Sequence, residues 1–127
     1  MARADVAAKP APAIDARAAA AAVPRVYNFA ADILARNLEA GRADKPVYID
    51  PRGSLTYGEL AERVDRFGHL LRSLGIRREE RILLALLDTI DWPTAFLGAV
   101  KAGVVPVPVN TLMIEDDYRF MLADSRA

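Results

Sequence analysis

Cysteine is absent from this chain of 127 residues, which excludes a disulfide framework, a thiolate nucleophile and any thiolate metal site. Excess charge of either sign is missing too. The 17 basic and 17 acidic residues cancel, so nothing in the balance points to nucleic acid or an anionic membrane. The densest charged cluster, Arg77-Arg78-Glu79-Glu80-Arg81, neutralises itself. Glycine is sparse: seven residues scattered singly, as helix stops or turns, with no glycine-rich loop to cradle a phosphate. No apolar run approaches the length of a membrane span. A cytoplasmic location is the expectation compatible with these absences.

What is present divides at about residue 25. Residues 1–25 hold 12 of the 24 alanines and three prolines, Pro10, Pro12 and Pro24. Large apolar side chains there are limited to Val6, Ile14 and Val23, too few to offset the entropy of ordering the segment. The alanine run Ala18–Ala22 is too short and weakly hydrophobic for a secretory signal, and Asp5 and Asp15 argue against a transit peptide. The segment reads as a disordered Ala/Pro-rich extension, with the folded portion over 26–127.

From Val26 onward the punctuation is regular. Asn28 is placed to cap a helix through Phe29, Ile33, Leu34 and Leu38 to about Ala40, with Gly41 as its stop. Val47-Tyr48-Ile49 reads as a strand, and Pro51-Arg52-Gly53 as a turn into Ser54-Leu55, which together predict a hairpin. Thr56-Tyr57-Gly58-Glu59 reads as a capping box. The helix it opens carries Leu60, Val64, Phe67, Leu71 and Leu74 as one apolar stripe, ended by Gly75. On the opposite face, Glu62–Arg66 and Asp65–His69 stand at helical i,i+4 spacing.

Arg81–Leu87 is apolar without alternation, as expected of a strand buried on both faces. A helix beginning between Asp88 and Asp91 runs through Trp92, Phe96, Leu97 and Val100 to Gly103. It is apolar nearly all round, which predicts cover on more than one side. Val104–Val109 is the next extended run, completing a βαβ unit with parallel strands. Pro106 and Pro108 predict that only the first half of that run pairs fully. Ile114, Tyr118, Met121 and Leu122 mark a last amphipathic helix. A parallel sheet of two strands is not a finished domain, so the fold class is α/β with an incomplete sheet.

Groups that could carry chemistry read as structural. His69 lies beside Asp65 and Arg72 on a polar helix face, as a solvated histidine. Asp116-Asp117 sits in a first helical turn, where carboxylates serve the helix dipole. Trp92 and Phe96, at helical spacing, read as core rather than as an aromatic ligand pocket. No residue is assigned a catalytic, cofactor-binding or metal-binding role.

Two stretches carry a resemblance. Leu55-Thr56-Tyr57-Gly58-Glu59-Leu60 resembles the first core motif of the adenylate-forming superfamily. Val100-Lys101-Ala102-Gly103-Val104-Val105-Pro106-Val107-Pro108-Val109-Asn110 resembles its second, in the right order and at the right separation. Within that superfamily the chain is most similar to the benzoate-CoA ligase branch. Tyr27-Asn28-Phe29-Ala30, Asp91-Trp92-Pro93, Ala95–Ala99, Val109–Leu112 and the closing Asp117-Tyr118, Met121-Leu122 and Ser125-Arg126-Ala127 carry that narrower likeness. Residues 26–127 then correspond to the N-terminal part of the large domain of an AMP-binding ligase.

The resemblance implies an acid–thiol ligase that uses ATP, coenzyme A and Mg2+ to convert benzoate or a similar carboxylate to its thioester, with homodimerisation possible at full length. The superfamily's phosphate loop, ribose-binding acid and mobile lysine match no position here, so the 127 residues alone are expected to be inactive. In relatives the segment after the second motif passes near the coenzyme A phosphates. Here it is Asn110-Thr111-Leu112-Met113, without a cation. Two other readings stand beside this one: another acyl-CoA ligase or a peptide-synthetase adenylation domain, and a short non-catalytic binding module. Only the module predicts that 26–127 folds cooperatively alone, because a ligase portion would leave the Trp92–Ala102 helix and a sheet edge uncovered.

Overall fold

Backbone groups at the ends of helices need partners, and the way this chain supplies them sets its architecture. The computed structural model describes residues 23–127; the extension expected over 1–25 lies almost wholly outside the described residues. In chain order the elements are α1 (Phe29–Glu39), β1 (Pro46–Asp50), β2 (Gly53–Thr56), α2 (Tyr57–Ser73), β3 (Arg81–Leu84), α3 (Asp91–Ala102), β4 (Val105–Pro108) and α4 (Glu115–Ser125). β1 and β2 form an antiparallel hairpin, and β3 and β4 pair in parallel around α3. The fold is mixed α/β, with two sheets of two strands each among the described residues.

Asn28 caps α1 as its position predicts, its Oδ1 accepting the Ala31 N–H at 3.0 Å. Its amide nitrogen does more, donating to the carbonyls of Val100 at 3.0 Å and Lys101 at 3.3 Å. One side chain therefore ties the start of α1 to the end of α3.

The capping box at α2 is complete. Thr56 Oγ1 accepts the Glu59 N–H at 3.2 Å, and the Glu59 carboxylate accepts the Thr56 N–H at 2.8 Å. That contact holds the Glu59 carboxyl below its ordinary range, the Thr56 backbone N–H being the main cause. Two further N–H groups of the first turn are taken by the preceding loop: Tyr57 donates to Lys45 O at 3.1 Å and Gly58 to Ala43 O at 2.9 Å. Gly58 suits this corner because a Cβ there would stand 3.3 Å from the Ala43 carbonyl oxygen. The first shared motif is thus a junction of hairpin, loop and helix. Thr56→Ala should lower stability by about 1 kcal/mol, read as a shift in denaturation midpoint, and Thr56→Ser should restore most of it.

The core has two centres. Leu34, Leu55, Leu60 and Val64 join α1, the hairpin and α2, with Val47, Ile90 and Leu97 packed against them. Leu71, Ala99 and Val104 join α2, α3 and the parallel sheet, with Phe67, Ile76 and Ile82 alongside. Leu60 and Val64 are the largest fully buried side chains, each worth about 1.5–3 kcal/mol of transfer free energy. α3 touches both α1 and α2, meeting the expected cover on more than one side, although Trp92, Phe96 and Val100 stay half-buried.

Several expectations need correction. Leu74 does not belong to the buried stripe of α2; it follows the last helical turn and is 66% exposed. Asp65 does not pair with His69 but reaches across to Lys101 of α3 at 2.6 Å, and Glu62 and Arg66 close no ion pair with each other. β3 ends at Leu84 instead of continuing to Leu87, because its partner turns away after Val109 donates to Leu84 O. It is also not buried on both faces throughout, since only Leu84 of its four residues is fully buried. Finally, β4 pairs over all four residues despite its prolines. Val105 and Val109 donate to Glu80 and Leu84, so by alternation Pro106 and Pro108 face away from β3, where a missing N–H costs no rung.

Candidate functional site

Ligands of open parallel sheets bind beyond the carboxyl ends of the strands. That end of β3 and β4 opens into a cleft of about 280 Å³, lined by Leu86, Leu87 and Asp88 after β3, Trp92 of α3, and Val109, Asn110 and Thr111 after β4. Asn110 shapes one wall, its Oδ1 accepting the Leu112 N–H at 2.9 Å and its carbonyl accepting the Tyr118 hydroxyl at 2.8 Å. The second bond helps to hold α4, which has no fully buried residue of its own.

A second hollow of about 160 Å³ lies beside the first, sharing Asp88 and Trp92 and adding Tyr48, Asp50, Ile90 and Pro93. Trp92 separates the two and is braced by Phe96, whose ring stacks on it at 5.0 Å between centroids and 7° between planes. The aromatic pair therefore forms a wall, as much packing as lining.

Two carboxylates around this wall, Asp50 and Asp91, are committed to structure. Asp50 accepts the Ile90 N–H at 3.0 Å and the Arg52 N–H at 2.7 Å. Asp91 is held between Arg52 at 2.9 Å and Arg63 at 2.7 Å. Together these contacts dock the hairpin turn onto the first turn of α3, which has no side-chain cap of its own. The Ile90 N–H, followed by the N–H and guanidinium of Arg52, holds the Asp50 carboxyl below its ordinary value. A group so held is an acceptor at neutral pH and not a proton donor.

The sign of its effect on stability follows. Asp50 contributes fully above the unfolded carboxyl value near pH ~4, and that contribution is lost as pH falls through the lower folded value. In denaturation experiments, Asp50→Asn should therefore fall furthest behind the native protein above about pH 5, and the gap should narrow as pH falls below the unfolded carboxyl value.

The residues singled out in the sequence do not converge. His69 is exposed and borders a small polar hollow with Asp65, Arg72 and Lys101, on the α2–α3 face and away from the strand ends. Asp116 pairs with Arg119 at 3.0 Å within α4, and Asp117 is exposed. Among the described residues no three His, Cys, Asp or Glu side chains are grouped to hold a metal. The Asn110–Met113 segment does line the cleft through Asn110 and Thr111. The only charged side chain in that lining is the carboxylate of Asp88, which opposes rather than assists phosphate binding. Sequence reasoning missed Asp50 and Arg52; the signal available was an Asp opening a Pro-Arg-Gly turn.

Comparison with known proteins gives a consistent set of likenesses. A family model described as AMP-binding enzyme matches residues 34–127. Benzoate–CoA ligase of Thauera aromatica is 56% identical over 106 residues, covering 83% of this chain and 20% of that protein. The 4-hydroxybenzoate–CoA/benzoate–CoA ligase of Rhodopseudomonas palustris is 50% identical over 103 residues, covering 81% and 19%. A crystal structure of a benzoate CoA ligase from Burkholderia xenovorans superposes with a TM-score of 0.77 at 55% identity, over 80% of this chain and 20% of that one. The chain spans about a fifth of the length of the curated relatives it matches.

Proposed function

This chain belongs to the AMP-binding enzyme family, and from that premise we propose that it is part of an ATP-dependent aryl-CoA ligase of the benzoate type. In the reaction, a carboxylate oxygen of benzoate or a close analogue attacks the α-phosphorus of ATP and pyrophosphate leaves. The thiol sulfur of coenzyme A then attacks the acyl carbon, and AMP leaves with the oxygen to which it was joined. Carboxylate is a poor electrophile and the adenylate makes it a good one. The observation that carries the reading is the 56% identity to a benzoate–CoA ligase over most of the chain. The two shared motifs support it by occupying the capped α2 junction and the α3–β4 turn.

In this reading residues 23–127 act as scaffold. They bear no glycine-rich loop for the nucleotide. Magnesium would enter with ATP, held elsewhere. A cytoplasmic location and a homodimeric full-length enzyme belong to the same proposal. Among the described residues no helix is long and apolar enough to cross a membrane.

ATP–pyrophosphate exchange tests the reading. The complete enzyme should exchange with benzoate and form benzoyl-CoA, whereas purified residues 1–127 should show no exchange with any carboxylate. Exchange driven by fatty acids or amino acids and not by benzoate would move the substrate class. Activity from the 127 residues alone would move the chemistry into them.

A further inference from the structure

The smaller hollow, between the hairpin and the start of α3, carries an excess of negative charge. Tyr48, Ile90, Trp92 and Pro93 line it, and Asp50 and Asp88 are the charged groups of that lining. Among the described residues no lysine, arginine or histidine stands with them. Its volume of about 160 Å³ has room for a small organic molecule and not only for water. Three carboxylates and two guanidinium groups meet at this corner of the fold. Arg52 lies 3.4 Å from Asp50 and 2.9 Å from Asp91, and Arg63 lies 2.7 Å from Asp91. Asp88 is exposed and pairs with no cation among the described residues. One negative charge is left over.

An anion is not favoured there, although a helix begins beside the hollow. The positive end of α3 is already answered, because Asp50 accepts the Ile90 N–H and Asp91 occupies the first turn. The aromatic groups point the same way. Phe96 covers one face of the Trp92 indole, stacked at 5.0 Å, so a ligand can meet only the other face. Tyr48 brings a second ring from β1. Ring faces are negative and attract a cation, while Ile90 and Pro93 suit its methyl or methylene groups. A metal ion would find too few oxygen ligands, since Asp50 is taken up by the Ile90 and Arg52 N–H groups.

We propose that this hollow is a site for a small organic cation of the alkylammonium class, held against the rings of Tyr48 and Trp92 with its charge towards Asp88. Such a ligand would bridge the hairpin and the first turn of α3, the two elements that Asp50 and Arg52 already join. The proposal uses only residues of this chain and is independent of the ligase reading.

Choline and its uncharged isostere 3,3-dimethylbutan-1-ol test it, in calorimetric titrations of the complete enzyme. Choline should bind about tenfold more tightly than the alcohol, and saturating choline should raise the unfolding midpoint. Asp88→Asn keeps the shape of an exposed side chain and removes its charge. In that variant the two affinities should come within about threefold of each other. Equal affinity of the native protein for choline and the alcohol would overturn the proposal, leaving an apolar hollow and no cation site. Failure of choline to bind would overturn it as well. So would a preference for choline that survives unchanged in Asp88→Asn, because the cation would then sit elsewhere on the enzyme.

Discussion

Gly98→Ala should destabilise the protein by about 2 kcal/mol, even though alanine is the better helix former by about 1 kcal/mol. Gly98 sits where α3 crosses α2. A Cβ at that position would lie 2.8 Å from Phe67 Cδ1, 2.9 Å from Phe67 Cβ and 3.1 Å from the Val64 carbonyl oxygen. The last two are not the free ends of flexible side chains, so relief requires the helices to separate. Separation would open the packing of Phe67 and Ala99 as well. Overpacking of this kind costs about 1–3 kcal/mol and occasionally more, and three simultaneous contacts put this site at the upper end.

The facing glycine supplies the control. A Cβ at Gly68 would meet Gly98 O at 3.6 Å and Ala102 Cβ at 3.7 Å, which is ordinary contact. Gly68→Ala should therefore stabilise, by about 0.5–1 kcal/mol. Denaturant midpoints that move in opposite directions for the two variants would establish the asymmetry of the crossing. A Gly98→Ala protein as stable as the native one would show that α2 and α3 are not this close.

Asn28→Ala is the second large effect, expected at about 2–4 kcal/mol. The N-cap alone is worth about 1 kcal/mol. The remainder comes from the two bonds its amide gives to Val100 and Lys101 carbonyls, at about 0.5–1.5 kcal/mol each. Two variants separate the parts. Asn28→Ser keeps an acceptor for Ala31 and should recover only the cap. Asn28→Asp also keeps the cap but turns a carboxylate towards the negative end of α3, so it should stay well short of the native protein. If serine restored full stability, the link to α3 would carry no energy.

These two positions show what the sequence could disclose. Asn28 was readable as a cap because capping is local: one side chain, one N–H, three residues on. The same was true of Thr56 and Glu59, and of the stops at Gly41 and Gly103, both at positive φ. The second task of Asn28 joins residues 72 apart and leaves no local trace. Asp65 is the sharper case. Its helical spacing to His69 is a legitimate signal, yet Lys101 wins it because α3 packs alongside.

The prolines of β4 misled for a related reason. A proline count penalises a strand, whereas the cost depends on which way each missing N–H would have pointed. As for the candidate site, the βαβ unit that frames the cleft was legible, whereas the cleft at its strand ends was not read from it. The Arg52–Asp91 and Asp50–Ile90 contacts that hold its neighbouring hollow span 39 and 40 residues of the chain and were invisible to periodicity.

The bond from Asn28 to Val100 also has a meaning in time. Synthesis proceeds at roughly 5–20 residues per second, so some 4–14 seconds separate the making of α1 from the making of its anchor. During that interval the hairpin and α2 can assemble on Leu34, Leu55 and Leu60, while the far end of α1 waits. The start of α1 is then the last part of that helix to be secured, and α3 is the element whose emergence supplies the two carbonyls that secure it.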